Sequence, residues 1–306
     1  MTLTIAWVRS VGDTEELCIA SDSRLRSFGS WDVCPKLFTT PRDDAAFGFA
    51  GDTMYAYPLI LQAVNHISLH HASHSRALDI YAAKGHYMEL FKDMLKYMSD
   101  PPKPKGKNEI GSLFIFAGFS SRKREFKIWQ VRFNTTEGKF EWLPAGGMRG
   151  MGGRNFVTIL GQPSMSQSKR SAAIRAGKAP EVETANDVKL MATNRLAGLL
   201  KSRGDLRGRG LNMEPFEVLR DLIREKASNH VGGPPQLIKI FPSSSSVVVG
   251  VLWPNREAGR VAVLGRLLLP FERLECPVLD PDSLDVGMHL WPRAASNGGG
   301  AEIGQP

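Results

Sequence analysis

The chain has 306 residues, 42% hydrophobic and 23% charged, a composition that excludes a wholly disordered polymer and suits one large domain or two small ones. Its net charge is +8, from 39 basic and 31 acidic residues, and no apolar stretch approaches the roughly 20 residues that span a bilayer. Cys18, Cys34 and Cys276 are odd in number and form no CxxC pair, which argues against a disulfide framework or a cysteine zinc site and predicts a reducing, cytoplasmic setting.

The first residues, Met1-Thr2-Leu3-Thr4-Ile5-Ala6-Trp7-Val8, lack a basic n-region and a cleavage site, so no signal peptide is expected. Short strands follow: Leu3 to Arg9, Glu16 to Ser21 after the turn Val11-Gly12-Asp13, Cys34 to Thr39, and Ala45 to Ala50. At Gly51-Asp52 the period becomes helical, with Met54, Tyr57, Leu61 and Val64 on one face and Asp52 or Thr53 as N-cap. Pro58 is expected near the first turn, where a missing N–H is tolerable. A second helix is predicted from Ser75 to Met98, weakened at Gly85, before the stiff linker Asp100 to Gly106.

Four strands are predicted next: Ser112 to Phe119, Glu125 to Phe133, Lys139 to Leu143 and Met148 to Gly152. The Ser/Ala/Lys-rich stretch 162–184 reads as a mobile insertion. Helices are predicted over Ala185 to Ser202 and Glu214 to Ser228, and Gly232-Gly233-Pro234-Pro235 breaks the second. Gln236 to Phe241, Ser246 to Leu252 and Arg260 to Leu268 read as the last strands. The order of strands, two helices, strands, two helices, strands suggests an α+β fold, a four-layer αββα sandwich in which two sheets pack face to face with helices outside. One domain over residues 1–270 is expected, followed by an extension, 271–306, largely disordered after 292. Parallel βαβ alternation is missing, as is any GxGxxG after a strand, so no nucleotide cofactor is predicted.

Chemistry enters at the start of the chain. A small second residue permits removal of Met1, which leaves Thr2 with a free α-amine. Threonine hydroxyl is a poor nucleophile, and an α-amine with pKa near ~7.7–8.0 is a base poised for neutral pH. Met-Thr also begins many proteins by chance. It gains weight from Ile19-Ala20-Ser21-Asp22-Ser23-Arg24, then Lys36, then Phe47-Gly48-Phe49-Ala50-Gly51-Asp52 opening a helix.

That set resembles the proteasome β-subunit family of N-terminal nucleophile (Ntn) hydrolases, most sharply over residues 2–65, and in element order to Leu268. The resemblance implies that Thr2 lies on an edge strand as the nucleophile of a threonine-type peptidase. Asp22 and Lys36 become its electrostatic partners and Gly51 an oxyanion-binding N–H. A lysine beside the amine disfavours its protonated form, and an N–H at a strand-to-helix junction can hold a developing oxyanion. Each residue has a plain structural reading as well: Asp22 with Arg24 as an ion-paired turn, Lys36 as a solvated strand lysine, Gly51 as a turn residue. Two departures stand out. Gly150-Met151-Gly152-Gly153 carries methionine where the family places a serine, and Asp22 to Lys36 is about two residues shorter than usual.

The expected activity is cleavage of peptide or amide bonds through an acyl-enzyme on Thr2. The alternative is a non-catalytic proteasome-like structural or interaction subunit. A nucleic-acid-binding protein is the weaker third reading, because the basic stretches at Lys169-Arg170-Arg175-Lys178 and Lys201 to Arg209 hold no aromatic residue. Expected partners are a peptide or protein substrate, further copies of the chain, and by family analogy an ATP-dependent unfoldase; no membrane or nucleic acid is expected. Tyr55, Tyr57, Tyr81, Tyr87 and Met88 offer apolar surface for self-association or for ordinary core.

His66, His70, His71 and His74 form the remaining cluster. His66 and His70 are spaced i, i+4, which can ligate zinc, but no carboxylate lies among them, so a polar helix end is preferred and no metal is predicted. Cys34, beside Lys36, is read as a small core residue.

Overall fold

The computed structural model describes residues 2–26, 29–98, 112–134, 137–145, 156–160, 185–204, 210–273 and 275–288. Within them the chain is a mixed α/β protein with several sheets. Alternating side chains build a long first hairpin from β1 (Leu3–Val11) and β2 (Thr14–Ser21), in register from Thr4 opposite Ser21 to Val11 opposite Thr14. A short hairpin, β3 (Leu25–Arg26) and β4 (Ser30–Trp31), stands apart. Then come β5 (Leu37–Thr39), β6 (Ala45–Gly51), α1 (Thr53–Leu69), α2 (His71–His74) and α3 (Ile80–Met94), which runs into a 3₁₀ turn. β7 (Ser112–Ser120), β8 (Glu125–Asn134), β9 (Lys139–Pro144) and β10 (Phe156–Leu160) lead to α4 (Ala185–Ser202) and α5 (Glu214–Arg224). The chain closes with β11 (Gln236–Phe241), β12 (Ser245–Leu252), β13 (Val261–Val263), β14 (Arg266–Leu267), β15 (Val278–Leu279) and β16 (Val286–Gly287).

The larger sheet runs β10-β1-β2-β11-β12-β13-β14, with β15 and β16 joined through β12; the second runs β5-β6-β7-β8-β9. All their pairings are antiparallel except β12 with β15.

Strand alternation sorts the core into distinct faces. On β1, Leu3, Ile5 and Trp7 pack with Val188, Ala192, Leu196 and Leu200 of α4, spaced one turn apart, and with Phe216 and Leu219 of α5. The intervening Ala6 and Val8 join Leu17, Ile19, Ile238 and Ile240 against Ala46, Ile115, Ala117 and Ile128 of the second sheet. The other face of that sheet offers Phe47, Phe49, Phe114, Phe116 and Trp129 to Ile60 and Ala63 of α1 and Tyr87 and Phe91 of α3. Phe47, Tyr87 and Phe116 sit at mutual centroid distances of 5.0 to 5.3 Å, edge-on or tilted. Each such side chain contributes about 1.5–3 kcal/mol by leaving water.

Several expectations need correction. The second helix does not start at Ser75. Arg76 takes a left-handed φ of 64° and Asp79 accepts the N–H of Tyr81 at 3.0 Å, so the cap starts α3 at Ile80. Pro58 is the sixth helical residue, in the second turn, and leaves a carbonyl one turn back without its usual donor. The expected strand from Arg260 to Leu268 is a hairpin, turned at Leu264 (φ 47°) and Gly265 (φ 90°). β1 is not an edge strand, because β10, unforeseen as a strand, pairs with it from Leu3 opposite Leu160 to Trp7 opposite Phe156. The expected strand Met148 to Gly152, the insertion 162–184 and the tail after 288 lie outside the described residues. No helix among the described residues is long and apolar enough to cross a membrane.

Candidate active site

β2 ends at Ser21, and the next three residues leave the sheet beneath the Gly232-Gly233-Pro234 turn. Asp22 is held there by four hydrogen bonds. Its Oδ1 accepts from Leu3 N at 3.0 Å and from Lys36 Nζ at 2.9 Å, and its Oδ2 accepts from Arg24 N at 3.0 Å and Gly232 N at 3.1 Å. Both side chains of the Lys36–Asp22 pair are wholly buried. Two charges taken out of water repay their desolvation only when their remaining valences are met, and for the Asp22 carboxylate they are. Burial pushes the Lys36 ammonium below the ordinary lysine range, while Asp22 pulls it back up. The solvated-lysine reading of Lys36 is therefore overturned.

Thr2 is buried, 1% exposed, and precedes the residue whose N–H Asp22 holds. Two positions on, Thr4 Oγ1 donates to Phe49 O at 2.9 Å and lies 2.8 Å from Ser21 Oγ, which ties β1 to β6 of the facing sheet. Phe49 N in turn donates to Lys36 O at 3.1 Å. The structure thus gathers the start of β1, Asp22 and Lys36 around one buried carboxylate. Among the described residues no hydrogen bond joins Thr2 to Lys36 directly; the link runs through Leu3 and Asp22. Gly51 ends β6 two residues beyond Phe49, half-buried, opposite Ser112. Its φ of 119° is one that side chains rarely adopt, and Asp52 caps α1 beside it by accepting Met54 N at 2.9 Å. No hydrogen bond ties Gly51 to Thr2.

The expected Asp22–Arg24 ion pair does not form. Arg24 turns away to make a bidentate pair with Asp32, Nε to Oδ1 at 2.6 Å and an Nη to Oδ2 at 2.7 Å. That bond holds the Asp32 carboxyl below the usual range. Cys34 is buried, as a small core residue should be, and burial pushes its thiol up. Tyr57 of α1 donates to Pro35 O at 3.1 Å, and Tyr55, Tyr81 and Met88 pack on the aromatic core with the buried Tyr87, so those residues serve the interior.

Sequence reasoning missed Gln236. Its Oε1 accepts Lys36 N at 2.9 Å and Leu37 N at 3.3 Å, and its Nε2 lies 2.9–3.1 Å from Asp22 O, Ser23 Oγ and Cys34 O. One buried amide thus joins β11 to both segments that carry the pair. The only signal was a polar residue opening an apolar strand. Gly232 and Gly233 were noticed as a turn but not as part of the site. A Cβ on Gly232 would lie 2.5 Å from the Arg24 guanidinium carbon, and one on Gly233, at φ 72°, would collide with the Asp32 carbonyl oxygen.

The histidines divide. His66 lies in the last turn of α1, but the helix ends at Leu69 and His70 is its extended C-cap residue, so the two do not share a helix face as their spacing predicts; His71 and His74 fall on α2 and are exposed. Of the basic stretches, the first and residues 205–209 lie outside the described residues. Arg203 is already engaged, pairing with Glu217 at 2.7 and 2.9 Å.

No family model and no curated protein matches the chain. Among solved structures it is similar to a Gly-1 mutant of Anbu from Hyphomicrobium sp. strain MC1, with 15% identity over 80% of this chain and 85% of that one and a TM-score of 0.46.

Proposed function

We propose that the chain is a proteasome-like N-terminal threonine hydrolase that cleaves peptide or amide bonds, built on the four-layer αββα sandwich of the Ntn-hydrolase type. The observation that carries the reading is the buried Asp22 carboxylate, which takes the Leu3 N–H and the Lys36 ammonium on one oxygen. That arrangement is costly as mere architecture, and it places a cation where the start of β1 is anchored. The packing of helices outside two facing sheets supports the fold.

In this mechanism removal of Met1 frees the Thr2 amine. Lys36 keeps that amine neutral by like-charge repulsion, and Asp22 orients Lys36. The amine takes the proton of Thr2 Oγ1 as the oxygen attacks the substrate carbonyl. The tetrahedral oxyanion is held by the Gly51 N–H, the amine proton passes to the leaving nitrogen, and water then hydrolyses the ester left on Thr2. Peptides are the substrate class. Self-association through α1 follows the same reading and is supported by Met54, Leu61 and Leu69, which are 51 to 87% exposed.

A second reading, a non-catalytic subunit of the same kind, is favoured by the burial of Thr2, since a nucleophile at 1% exposure offers a substrate little room. Intact mass followed by turnover on a panel of fluorogenic peptide amides separates the two. The hydrolase reading expects loss of Met1, turnover in the wild type, and none in Thr2→Ala. Turnover that persists in Thr2→Ala ends it, and a processed wild type without turnover establishes the second reading.

A further inference from the structure

α1 and α3 lie side by side, and their facing surfaces bring a third histidine to the pair that the sequence had set one turn apart. His66 of α1 and His70, the residue that caps its C-terminus, stack at a centroid distance of 5.2 Å, and His86 of α3 lies 5.6 Å from His70 and 6.0 Å from His66. Each ring offers a nitrogen, and the three nitrogens all lie within 4.8 Å of one another. A tetrahedral zinc ion with bonds of ~2.0–2.1 Å needs its ligand nitrogens about 3.3 Å apart, a gap that small rotations of the rings close.

Two details go beyond proximity. His66 Nε2 is buried and has no hydrogen-bond partner, an unusual state for a ring nitrogen inside a protein. His70 Nδ1 lies 2.8 Å from the hydroxyl of the fully buried Ser73, whose own N–H donates to His70 O at 2.9 Å. That bond engages Nδ1 and leaves Nε2 as the nitrogen for a ligand, which is how metal-bound histidines are generally held.

We propose that His66, His70 and His86 form a binding site for a borderline divalent transition-metal ion, Zn²⁺ above all, that clamps the C-terminal part of α1 to α3. Three imidazoles and no carboxylate select Zn²⁺, Ni²⁺ or Cu²⁺ over Mg²⁺ or Ca²⁺. His86 is exposed, so water completes the coordination from the solvent side. The site stands apart from the chemistry of Thr2 and does not depend on it.

The test is calorimetric titration of ZnCl₂ into the tag-free, chelator-treated full chain. One Zn²⁺ per chain is expected, with a zinc-dependent rise in the thermal midpoint, and Co²⁺ in its place should give the intense visible bands of a four-coordinate ion. His66→Ala and His86→Ala should each weaken binding by about tenfold or more. His74→Ala, an exposed histidine outside the group, should leave it unchanged. Because His86 is on the surface, its variant keeps the fold. Zinc binding that His86→Ala leaves intact, or a wild type that shows neither heat nor midpoint shift, overturns the proposal.

Discussion

Lys36 Nζ lies 2.9 Å from Asp22 Oδ1 with neither side chain exposed, and the same oxygen accepts the N–H of Leu3. The pair therefore belongs to the interior as much as to any chemistry. Lys36→Ala strands a buried carboxylate and should cost about 3–5 kcal/mol, far above the ~0.5 kcal/mol of a surface lysine. The double variant Lys36→Ala with Asp22→Asn should recover part of that loss. Urea unfolding measures both, and a single-variant loss below about 1 kcal/mol would contradict the buried pair.

Gln236 should rank with the pair in importance for stability. Gln236→Leu keeps the bulk but strips the N–H groups of Lys36 and Leu37 of their acceptor, and the carbonyls of Asp22 and Cys34 of a donor. A buried backbone group left unsatisfied costs ~1–3 kcal/mol, so a loss of at least about 2 kcal/mol is expected. Chemical denaturation reads it directly. A variant as stable as the wild type would mean that the amide is a bystander.

Glu16 supplies the acid dependence. Its Oε1 receives Lys239 Nζ and an Arg9 guanidinium nitrogen, each at 2.7 Å. Burial alone would raise this carboxyl, but the hydrogen bonds from Lys239 and Arg9 outweigh it and leave the pKa lowered. A carboxyl depressed by folding stabilises fully above its unfolded pKa of about 4.3, and that contribution fades as pH falls through the folded value. Glu16→Gln should thus be about 3 kcal/mol less stable at neutral pH, with Lys239 left buried and unpaired, and the gap should narrow below about pH 4. Thermal midpoints of both proteins from pH 7 to about pH 3 test this; a constant gap contradicts it.

What the sequence by itself determined was local. Alternation marked β1, β2, β6, β7, β8 and β11 to within a residue or two, helical spacing marked α1 and α4, and the Asp52 cap stood where an Asp before an apolar helical run should stand. Such signals need only neighbours within a turn or a pleat. The motif order also singled out Thr2, Asp22, Lys36 and Gly51, but a residue's type does not say what will pack over it. Tertiary structure alone decided that Lys36 is buried rather than solvated, that Arg24 answers Asp32 instead of Asp22, and that β10 covers the flank of β1. It also brought Gln236 to Lys36 across 200 positions and His86 of α3 to His66 and His70. The reason is physical: a buried charge or amide takes its partner from whatever the packed sheets and helices place within hydrogen-bond reach, and sequence separation puts no bound on that choice.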